Sequence, residues 1–501
     1  MTTEAPLDLD RLTIDDVRAG ALRDREVTVL GFARSGIALA RFLTGVGARV
    51  TVYDGRPAVE LRGALEALAG REIRLLAGPD ADPASAWAGA ALVTTSPSIN
   101  PDYPTTEPRL RSALGALVAA RRAGDPSAPP LVSEPDLFLR LCPAVTIGVT
   151  GTKGKTTTSS LIAAVLAADP EHRVILGGNI GIPLVERLPE LTPDDRVVIE
   201  LSELQLPTLS RGSHVAVFTN VTSDHLDRHG SLAAYRAVKR RLAELVDPDG
   251  ALVVNDDDPV VAGYATDARA RVIRYRVGPP PAGGVGVVDR RIVGADGLDI
   301  MGVDDLAIPG AHNVSNALAA VATARFFGLD SAAIREAAIR FTGVEHRLEP
   351  VATIDDVRFV NDSQGTQPDA VIAALRAFDA PIVLIAGGRD KGVDLSGLPP
   401  VVAERAAAAV LIGESGPELE RGFRAAGLAR TERAETLEDA VRRADAIARD
   451  ELARGARTPA TVLLSPAAAS FDMFVDYAAR GRAFKDAVAA LAADRAERRD
   501  R

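Results

Sequence analysis

Short apolar runs, rich in valine, isoleucine and leucine, recur along the chain, and most of them lead into glycine-rich or polar turns. Such runs are typical of strands that are buried on both faces of a parallel sheet. Alanine- and leucine-rich segments of helical length follow many of these turns. The alternation of the two patterns predicts an α/β protein with mainly parallel sheets.

Two segments interrupt this alternation. Residues 121–130, RRAGDPSAPP, are rich in proline, glycine and alanine, which is typical of a linker, and residues 343–351, GVEHRLEPV, are interpreted as a second boundary. A chain of 501 residues is also too long for a single core. We therefore predict three α/β domains, which span residues 1–130, 131–345 and 346–501.

The most informative turn lies in GVTGTKGKTTT, residues 148–158, between a predicted strand and a predicted helix. Its glycines let backbone N–H groups approach a ligand closely. Lys155 can then reach the outer phosphates of a nucleotide, and the hydroxyl of Thr156 can hold Mg²⁺. The strict pattern of a phosphate loop fails, because Val149 stands where glycine is required. The flanking strand and helix still favour a nucleotide-binding loop over an ordinary turn.

A second glycine-rich turn lies in the first strand–helix–strand pattern of the chain, residues 25–57. Gly31 and Gly36 bracket this turn, and Asp54 closes the next strand, where a Rossmann fold meets a ribose hydroxyl. Ala33 replaces the middle glycine of the dinucleotide fingerprint. NAD, a mononucleotide or a nucleotide-sugar would each suit the loop, and a purely structural unit is the remaining interpretation.

Polar side chains follow two further predicted strands. Glu200 ends one strand, His225 follows another, and Lys239 lies on the next helix. Strand ends in an open parallel sheet line its ligand crevice, so we expect Glu200 and His225 to converge near the phosphate loop. A carboxylate and an imidazole at that place can hold a metal that bridges phosphate and substrate.

Lysine is rare in this chain. Of 58 basic residues, five are lysines: Lys153, Lys155, Lys239, Lys391 and Lys485. Because an amine can lose its proton or act as a point charge on phosphate, a lysine in an arginine-rich chain marks a candidate site. Lys391 follows a predicted strand of the third domain, where it can hold an anionic substrate. Asp362 and Ser470 occupy similar positions after other strands of that domain.

Charge and cysteine content exclude several classes of protein. The net charge of −10 argues against a nucleic-acid partner. No apolar run reaches the ~20 residues that a membrane span needs, and the N-terminal residues lack the apolar core of a secretory signal. The single cysteine, Cys142, fits a reducing compartment. We expect a soluble cytoplasmic protein without membrane insertion.

Taken together, these motifs resemble those of the Mur ligase family over nearly the whole chain. The motifs that carry the resemblance are GVTGTKGKTTT, GGNIGIP, VIELS, NVTSDHLDRHG, PGAHNVSNALAA, EHRLE, NDSQGT, GGRDKG and SPAAASFD. In order and spacing together they are highly specific. The resemblance implies a Rossmann-like nucleotide-sugar domain, a central ATPase domain of the P-loop type and a Rossmann-like C-terminal domain.

The resemblance also implies an activity: ATP-dependent addition of D-glutamate to UDP-N-acetylmuramoyl-L-alanine through an acyl phosphate, in cytoplasmic peptidoglycan precursor synthesis. ATP and Mg²⁺ are the implied cofactors, Lys239 is implied to be carbamylated, and we expect a monomer. Gln364 stands where the family pattern has lysine, so addition of L-glutamate is an alternative. A folylpolyglutamate synthase-like ligase and an NAD-dependent oxidoreductase are the further alternatives.

The residues that match the family's motifs define the implied site. ATP contacts are expected from Gly151, Thr152, Lys153, Gly154, Lys155, Thr156, Thr157, Thr158, Asn313, Asn316, Arg347 and Asp362. UDP-substrate contacts are expected from Gly31, Phe32, Ala33, Arg34, Ser35, Gly36, Asp54, Arg56, Ser96 and Asn179. Glutamate is expected at Thr366, Lys391, Ser470 and Phe471, and the metal at Thr156, Glu200, His225 and Lys239. Lys155, His225 and Lys239 are the implied catalytic residues.

Overall fold

The chain forms two compact units, Met1–Phe341 and Thr342–Arg501. The computed structural model describes residues 7–181, 183–222, 230–266, 268–308, 310–389 and 395–499. Within these ranges, no helix is long and apolar enough to cross a membrane. The division into three domains at residues 130 and 345 stays a prediction.

The N-terminal unit begins with a five-stranded parallel sheet. Its strands are β1 (Glu26–Leu30), β2 (Arg49–Asp54), β3 (Arg74–Ala77), β4 (Leu92–Thr95) and β5 (Leu131–Ser133). Its helices are α1 (Ile14–Arg18), α2 (Arg34–Gly45), α3 (Arg62–Ala67), α4 (Pro108–Arg122) and α5 (Glu134–Leu141). The order β3-β2-β1-β4-β5 reverses direction between β1 and β4. A ligand crevice is therefore expected at the carboxyl ends of these two strands.

A nine-stranded sheet forms the rest of the N-terminal unit. Its strands are β6 (Val145–Thr150), β7 (Val174–Gly178), β8 (Arg196–Glu200), β9 (Val215–Phe218), β10 (Ala251–Asn255), β11 (Arg271–Tyr275), β12 (Val285–Val288), β13 (Arg291–Gly294) and β14 (Asp299–Gly302). Its helices are α6 (Lys155–Leu166), α7 (Leu232–Leu245), α8 (Pro259–Tyr264), α9 (Ala311–Phe326) and α10 (Ser331–Arg340). The order is β14-β13-β12-β11-β10-β9-β6-β8-β7. β6 is therefore an interior strand, with β8 and β9 as its parallel neighbours.

Apolar packing holds both faces of this central region. One buried cluster is continuous from Val29 of the first sheet to Ile199 of the second and Leu242 of α7. A second cluster packs Ile147 of β6 against α6 and α9 on the opposite face. The carboxyl ends of β6 and β8 thus project from a rigid core.

The C-terminal unit contains a six-stranded sheet in the order β15-β16-β20-β17-β18-β19. Its strands are β15 (Glu349–Ile354), β16 (Val357–Asn361), β17 (Ile382–Gly387), β18 (Ala408–Ile412), β19 (Thr431–Arg433) and β20 (Ala460–Leu464). Its helices are α11 (Pro368–Arg376), α12 (Leu398–Arg405), α13 (Gly416–Ala425), α14 (Leu437–Ala453) and α15 (Tyr477–Arg499). β17, β18 and β20 are buried along their whole length, which explains why their sequences are continuous apolar runs.

Two antiparallel additions extend the mainly parallel sheets. β12, β13 and β14 pair antiparallel, and so do β15 and β16. The β12–β13 turn places Asp289 and Arg290 at φ 46° and 59°, and the β15–β16 turn places Asp355 and Asp356 at φ 48° and 63°. Both are therefore two-residue turns with left-handed residues, a geometry that suits the right-handed twist of the paired strands.

Candidate active site

The loop between β6 and α6 is built on two glycines with positive φ. Gly151 lies at φ 152° and Gly154 at φ 82°. A Cβ on Gly151 would collide with Thr219 Oγ1, and a Cβ on Gly154 would lie 2.7 Å from Asn316 Oδ1. Any side chain at either position would therefore strain or displace the loop. The loop ends at the N-terminus of a twelve-residue helix, which favours an anion.

The loop after β9 holds this phosphate loop in shape. Thr152 N donates to Asn220 O at 2.7 Å, and Lys153 N donates to Asn220 Oδ1 at 2.9 Å. Thr219 Oγ1 donates to Lys153 O at 2.6 Å. Because the amides of Thr152 and Lys153 are bound within the protein, the N–H groups of the first turn of α6 are the ones placed for a phosphate. Sequence analysis assigned no role to Asn220, although it is the first residue of the NVTSDHLDRHG motif and follows a strand end.

Lys155 lies over the loop that it follows. Its Nζ donates to Gly151 O at 3.0 Å and to Thr152 O at 2.9 Å. In the same first turn, Thr156 is buried and Thr157 is half-buried. The Lys155 amine therefore lies close to the place where the loop would bind a phosphate.

Asn313 and Asn316 are buried in the first turns of α9, beside the phosphate loop. Thr158 Oγ1 donates to Asn316 Oδ1 at 3.0 Å, and Asn316 Nδ2 donates to Asn313 Oδ1 at 3.0 Å. This chain of bonds ties α9 to α6. Thr158 is fully buried, so its hydroxyl serves this packing contact.

Glu200 and Lys239 lie beneath the loop. Glu200 pairs with Val149 of β6, is buried, and accepts a hydrogen bond from Asn179 Nδ2 at Oε1, 2.7 Å away. Its other oxygen, Oε2, is buried and has no hydrogen-bond partner among the described residues. Lys239 is 0% exposed, with Nζ 3.3 Å from Thr150 Oγ1. The two side chains thus meet the carboxyl ends of β6 and β8.

The first sheet carries a separate pocket at the carboxyl ends of β1 and β2. Asp54 accepts hydrogen bonds from Phe32 N at 2.8 Å and from Arg56 N and Nε, both at 3.0 Å. Burial by itself would raise the pKa of Asp54, but the hydrogen bonds from Arg56 and Phe32 outweigh it and hold the pKa below its ordinary value. A cavity of ≈ 490 Å³ opens beside the Asp54–Arg56 pair and includes Gly31 and Ile99 in its lining.

The glycine turn of the first sheet fits the Rossmann pattern except at its middle position. A Cβ on Gly36 would collide with Gly31 O, so this position requires glycine. Ala33 is the exposed residue before α2, and Ser35 lies in the first turn of that helix. Ser96, after β4, donates its N–H to Leu30 O at 3.3 Å and so faces the same crevice edge.

Arg34 connects this turn to the second sheet. Its Nη2 donates to Asn179 O at 3.1 Å, and its Nη1 contacts Gly181 O at 3.4 Å. Residues predicted for the UDP-substrate from two distant segments are therefore joined by direct contacts.

In the C-terminal unit, Asp362 directly follows β16 and is buried. Ser465 Oγ donates to Asp362 Oδ2 at 2.6 Å, and Leu348 N donates to Oδ1 at 3.2 Å. Burial raises the pKa of Asp362 to about 6, against the weaker lowering effect of Ser465, Leu348 and Arg347. Arg347 itself is exposed.

The remaining predicted residues of this unit lie on two neighbouring loops. Ser470 is buried and Phe471 is 63% exposed, while Thr366 is half-buried and donates its N–H to Gln364 O at 2.8 Å. Gln364 Oε1 is buried and lacks a hydrogen-bond partner in the described part of the chain. His225 and Lys391 lie outside the described residues.

Comparison with known proteins identifies this combination of sites. The family described as "Mur ligase middle domain" matches residues 149–324, and "Mur ligase, glutamate ligase domain" matches residues 346–468. A UDP-N-acetylmuramoylalanine–D-glutamate ligase of Symbiobacterium thermophilum is 38% identical over 94% of this chain and 100% of its own length. The chain belongs to the Mur ligase family.

Further relatives agree with the Mur ligase assignment. A UDP-N-acetylmuramoylalanine–D-glutamate ligase of Pelotomaculum thermopropionicum is 39% identical over 93% of this chain and 98% of its own length. The crystal structure of UDP-N-acetylmuramate-alanine ligase MurC from Thermotoga maritima aligns with 93% of this chain and 100% of that chain, with a TM-score of 0.54 and 20% identity. The predicted α/β fold, with several mainly parallel sheets, is therefore confirmed as that of a Mur ligase.

A Mur ligase uses ATP. Mg²⁺ that accompanies a nucleotide is held by oxygen ligands near the phosphates. The unpartnered Oε2 of Glu200 fits such a role, as does the buried hydroxyl of Thr156. No cluster of three or more His, Cys, Asp or Glu side chains that could hold a metal occurs in the described ranges.

Arg480 is a buried residue of this Mur ligase that sequence analysis missed. It is 1% exposed and donates to Ser363 Oγ at 3.0 Å, to Ser363 O at 2.9 Å, and to Ala468 O and Ala469 O at 3.3 Å. Burial lowers the pKa of Arg480 to about 10. The guanidinium thus ties together the NDSQGT and SPAAASFD loops, directly before Ser470.

Proposed function

We propose that the protein joins D-glutamate to UDP-N-acetylmuramoyl-L-alanine, with conversion of ATP to ADP and phosphate. The observation that carries the proposal is the meeting of the phosphate loop, Glu200 and Lys239 at the carboxyl ends of β6 and β8. The names of the two relatives described above support this pair of substrates.

The first step would activate the carboxylate of the UDP-substrate. A carboxylate oxygen attacks the γ-phosphorus of ATP, and the bond from that phosphorus to the ADP oxygen breaks. The first-turn N–H groups of α6 and the Lys155 ammonium would stabilise the charge on the transferred phosphoryl group. Lys155 needs only to exchange the carbonyls of Gly151 and Thr152 for phosphate oxygens, because its amine already lies over the loop.

The carboxylate and the γ-phosphate are both anions, so their approach needs positive charge. Mg²⁺, when bound, supplies that charge as a Lewis acid. Thr156, Glu200, His225 and a carbamylated Lys239 would hold it. Carbamylation adds CO₂ to Lys239 Nζ with loss of a proton, and it gives the side chain the oxygen atoms that Mg²⁺ prefers.

The second step would form the amide bond. The glutamate nitrogen attacks the carbonyl carbon of the acyl phosphate, and the tetrahedral intermediate loses phosphate while the nitrogen loses a proton. We propose that Thr366, Lys391, Ser470 and Phe471 bind the glutamate, and that Arg347 and Asp362 contact the nucleotide. Ser470 suits this role because Arg480 fixes the loop immediately before it.

The pocket beside Asp54 and Arg56 would bind the uridine part of the substrate. Both carboxylate oxygens of Asp54 accept hydrogen bonds from the loop or from Arg56, so Asp54 holds Arg56 at the cavity edge. The exposed part of the Arg56 guanidinium then faces a cavity of nucleoside size, ≈ 490 Å³.

L-glutamate is the second candidate substrate, because Gln364 occupies the place of a lysine beside Thr366. The deciding experiment measures phosphate release with UDP-N-acetylmuramoyl-L-alanine and each glutamate enantiomer. We expect kcat/KM for D-glutamate to exceed that for L-glutamate by at least ~100-fold, since an inverted centre misplaces either the amine or a carboxylate. Gln364→Lys should keep this preference. A preference for L-glutamate would overturn the stereochemical assignment.

The same assay tests the reaction type. ADP and phosphate are the expected products, whereas AMP and pyrophosphate would contradict an acyl phosphate. An NAD-dependent oxidoreductase would leave the phosphate loop and Lys239 without a role. A folylpolyglutamate synthase-like activity would appear as turnover with a folate in place of the UDP-substrate.

A further inference from the structure

A continuous chain of contacts runs from the glycine turn of the first sheet to the carboxylate at the end of β8. Arg34 donates to the carbonyl of Asn179 at 3.1 Å. Asn179 Nδ2 then donates to Glu200 Oε1 at 2.7 Å, and Asn179 N donates to Glu200 O at 2.9 Å. Asn179 therefore forms hydrogen bonds with both the backbone and the side chain of Glu200.

The backbone is shaped for these hydrogen bonds. Gly178 precedes Asn179 at φ 99°, and a Cβ on Gly178 would lie 2.6 Å from Glu200 O. Only glycine lets the segment come this close to the end of β8. Asn179 occupies one oxygen of Glu200 and leaves Oε2 buried, without a partner among the described residues. The Asn179 side-chain amide thus determines that Oε2, and not Oε1, is the Glu200 oxygen left available for a ligand.

Arg34 lies where the diphosphate of a bound nucleotide would contact it. It is the first residue of α2, at a helix N-terminus that follows a Rossmann-type turn. It is exposed, and a guanidinium binds phosphate and carbonyl oxygens through several N–H groups at once. A diphosphate bound there would hold Arg34, and through it the backbone of residues 179–181.

We infer that Arg34 and Asn179 are positioning residues that couple the UDP-substrate site to the divalent metal site at Glu200. The inference rests on the proposed function, because it takes a diphosphate-bearing substrate and a metal as the two ligands. Coupling between two sites is reciprocal: each ligand tightens the other by the same factor. Asn179 orients Glu200 whether or not the UDP-substrate is bound, whereas Arg34 transmits the presence of the diphosphate.

The test measures Mn²⁺ binding to the full-length protein by electron paramagnetic resonance, with saturating ADP and without glutamate, so that no turnover occurs. Each titration is done with and without saturating UDP-N-acetylmuramoyl-L-alanine. For the unmodified protein we expect the UDP-substrate to lower the Mn²⁺ Kd about tenfold, within the usual range of such couplings.

The two variants should differ in a defined way. Asn179→Ala should raise the Mn²⁺ Kd about tenfold even without the UDP-substrate, as loss of an outer-shell hydrogen bond does at other metal sites. Arg34→Lys keeps the positive charge but loses the planar guanidinium that can bind two oxygens at once. It should leave the Mn²⁺ Kd without the UDP-substrate within about twofold and abolish most of the coupling.

Arg41→Lys is the matched control, since Arg41 also lies on α2 and donates to a backbone carbonyl, that of Ala67, away from the chain of contacts. It should behave as the unmodified protein does. Thermal unfolding checks each fold, and Asn179→Ser or Arg34→Gln replaces a variant that unfolds early.

Two results would overturn the inference: an unchanged Mn²⁺ Kd in Asn179→Ala, or undiminished coupling in Arg34→Lys. Absence of coupling in the unmodified protein would overturn it as well. Failure of the UDP-substrate to bind the unmodified protein would instead count against the proposed function. In that case the Asn179→Ala titration without the UDP-substrate still decides whether Asn179 positions Glu200.

Discussion

Arg480 is the side chain whose replacement should most clearly separate stability from chemistry in the C-terminal unit. Arg480→Met keeps an unbranched apolar stem of similar length and removes the guanidinium. The backbone carbonyls of Ser363 and Ala468 then lose their donor inside the protein, whereas Ala469 O keeps the hydrogen bond from Arg389 N at 2.9 Å. Each buried acceptor left unsatisfied costs about 1–3 kcal/mol.

The same substitution also removes a cost. A buried guanidinium carries a desolvation penalty, which the lowered pKa of Arg480 reflects. We therefore expect a net loss of about 2 kcal/mol, at the lower end of the simple sum for two carbonyls. A protein of ordinary stability, about 5–15 kcal/mol, would still fold at 25 °C.

Urea unfolding followed by circular dichroism measures this loss, and Arg482→Met is the matched control on an exposed position of α15. Because Ser470 directly follows the carbonyls that Arg480 holds, KM for glutamate should also rise about tenfold or more while KM for ATP stays unchanged. A loss of stability below about 1 kcal/mol, equal to that of Arg482→Met, would refute the argument that these carbonyls depend on Arg480.

Three further predictions follow from the phosphate loop, Lys239 and Asp362. Lys155→Ala should lower phosphate release about 10³-fold with an unchanged thermal unfolding midpoint, and substantial activity would show that the loop amides suffice. Lys239→Arg should be nearly inactive and should lose the carbamate signal of ¹³CO₂-treated protein in ¹³C NMR; a fully active arginine variant would mean that only positive charge matters there. For Asp362, the pKa in the folded protein is about 6, above the ordinary 3.8, so the folded state binds the proton more tightly and stability falls as pH rises from about 4 to 6. The Asp362→Asn variant lacks this titration. Its free energy of unfolding, relative to that of the unmodified protein, should therefore increase by up to about 3 kcal/mol between about pH 4 and pH 6. Urea titrations that give the same difference between the two proteins at pH 4 and at pH 7 would contradict this prediction. Comparing the two proteins cancels the parallel effect of Glu134, whose pKa burial raises to about 7.

Sequence analysis predicted those features whose physical cause is local. The strands β17, β18 and β20 are continuous apolar runs because both their faces are buried, so their pattern was sufficient. The phosphate loop was predictable for the same reason, since its glycines, lysine and threonines are adjacent in the chain. The predicted convergence of Glu200 and His225 near the phosphate loop stays a prediction, because His225 lies outside the described residues.

Features that depend on distant partners were not predictable in this way. Asn220 and Arg480 act through hydrogen bonds to loops that only the folded chain brings near, and their residue types carry no signal of that role. The hairpins β12–β13 and β15–β16 were missed because their turns, Asp289–Arg290 and Asp355–Asp356, lack the glycine that usually marks such a turn. The hairpin β13–β14 was missed although its turn contains Gly297.

The scarcity of lysine has a practical consequence for chemical labelling. Of the four lysines in the described part of the chain, Lys239 is inaccessible, Lys485 is paired with Glu345 and Glu349, and Lys155 is half-buried against its own loop. Lys153 alone among these four is exposed, and it lies in the phosphate loop. Among these four lysines, an amine-directed reagent should therefore modify Lys153 first, and labelling at Lys153 would report on the phosphate loop.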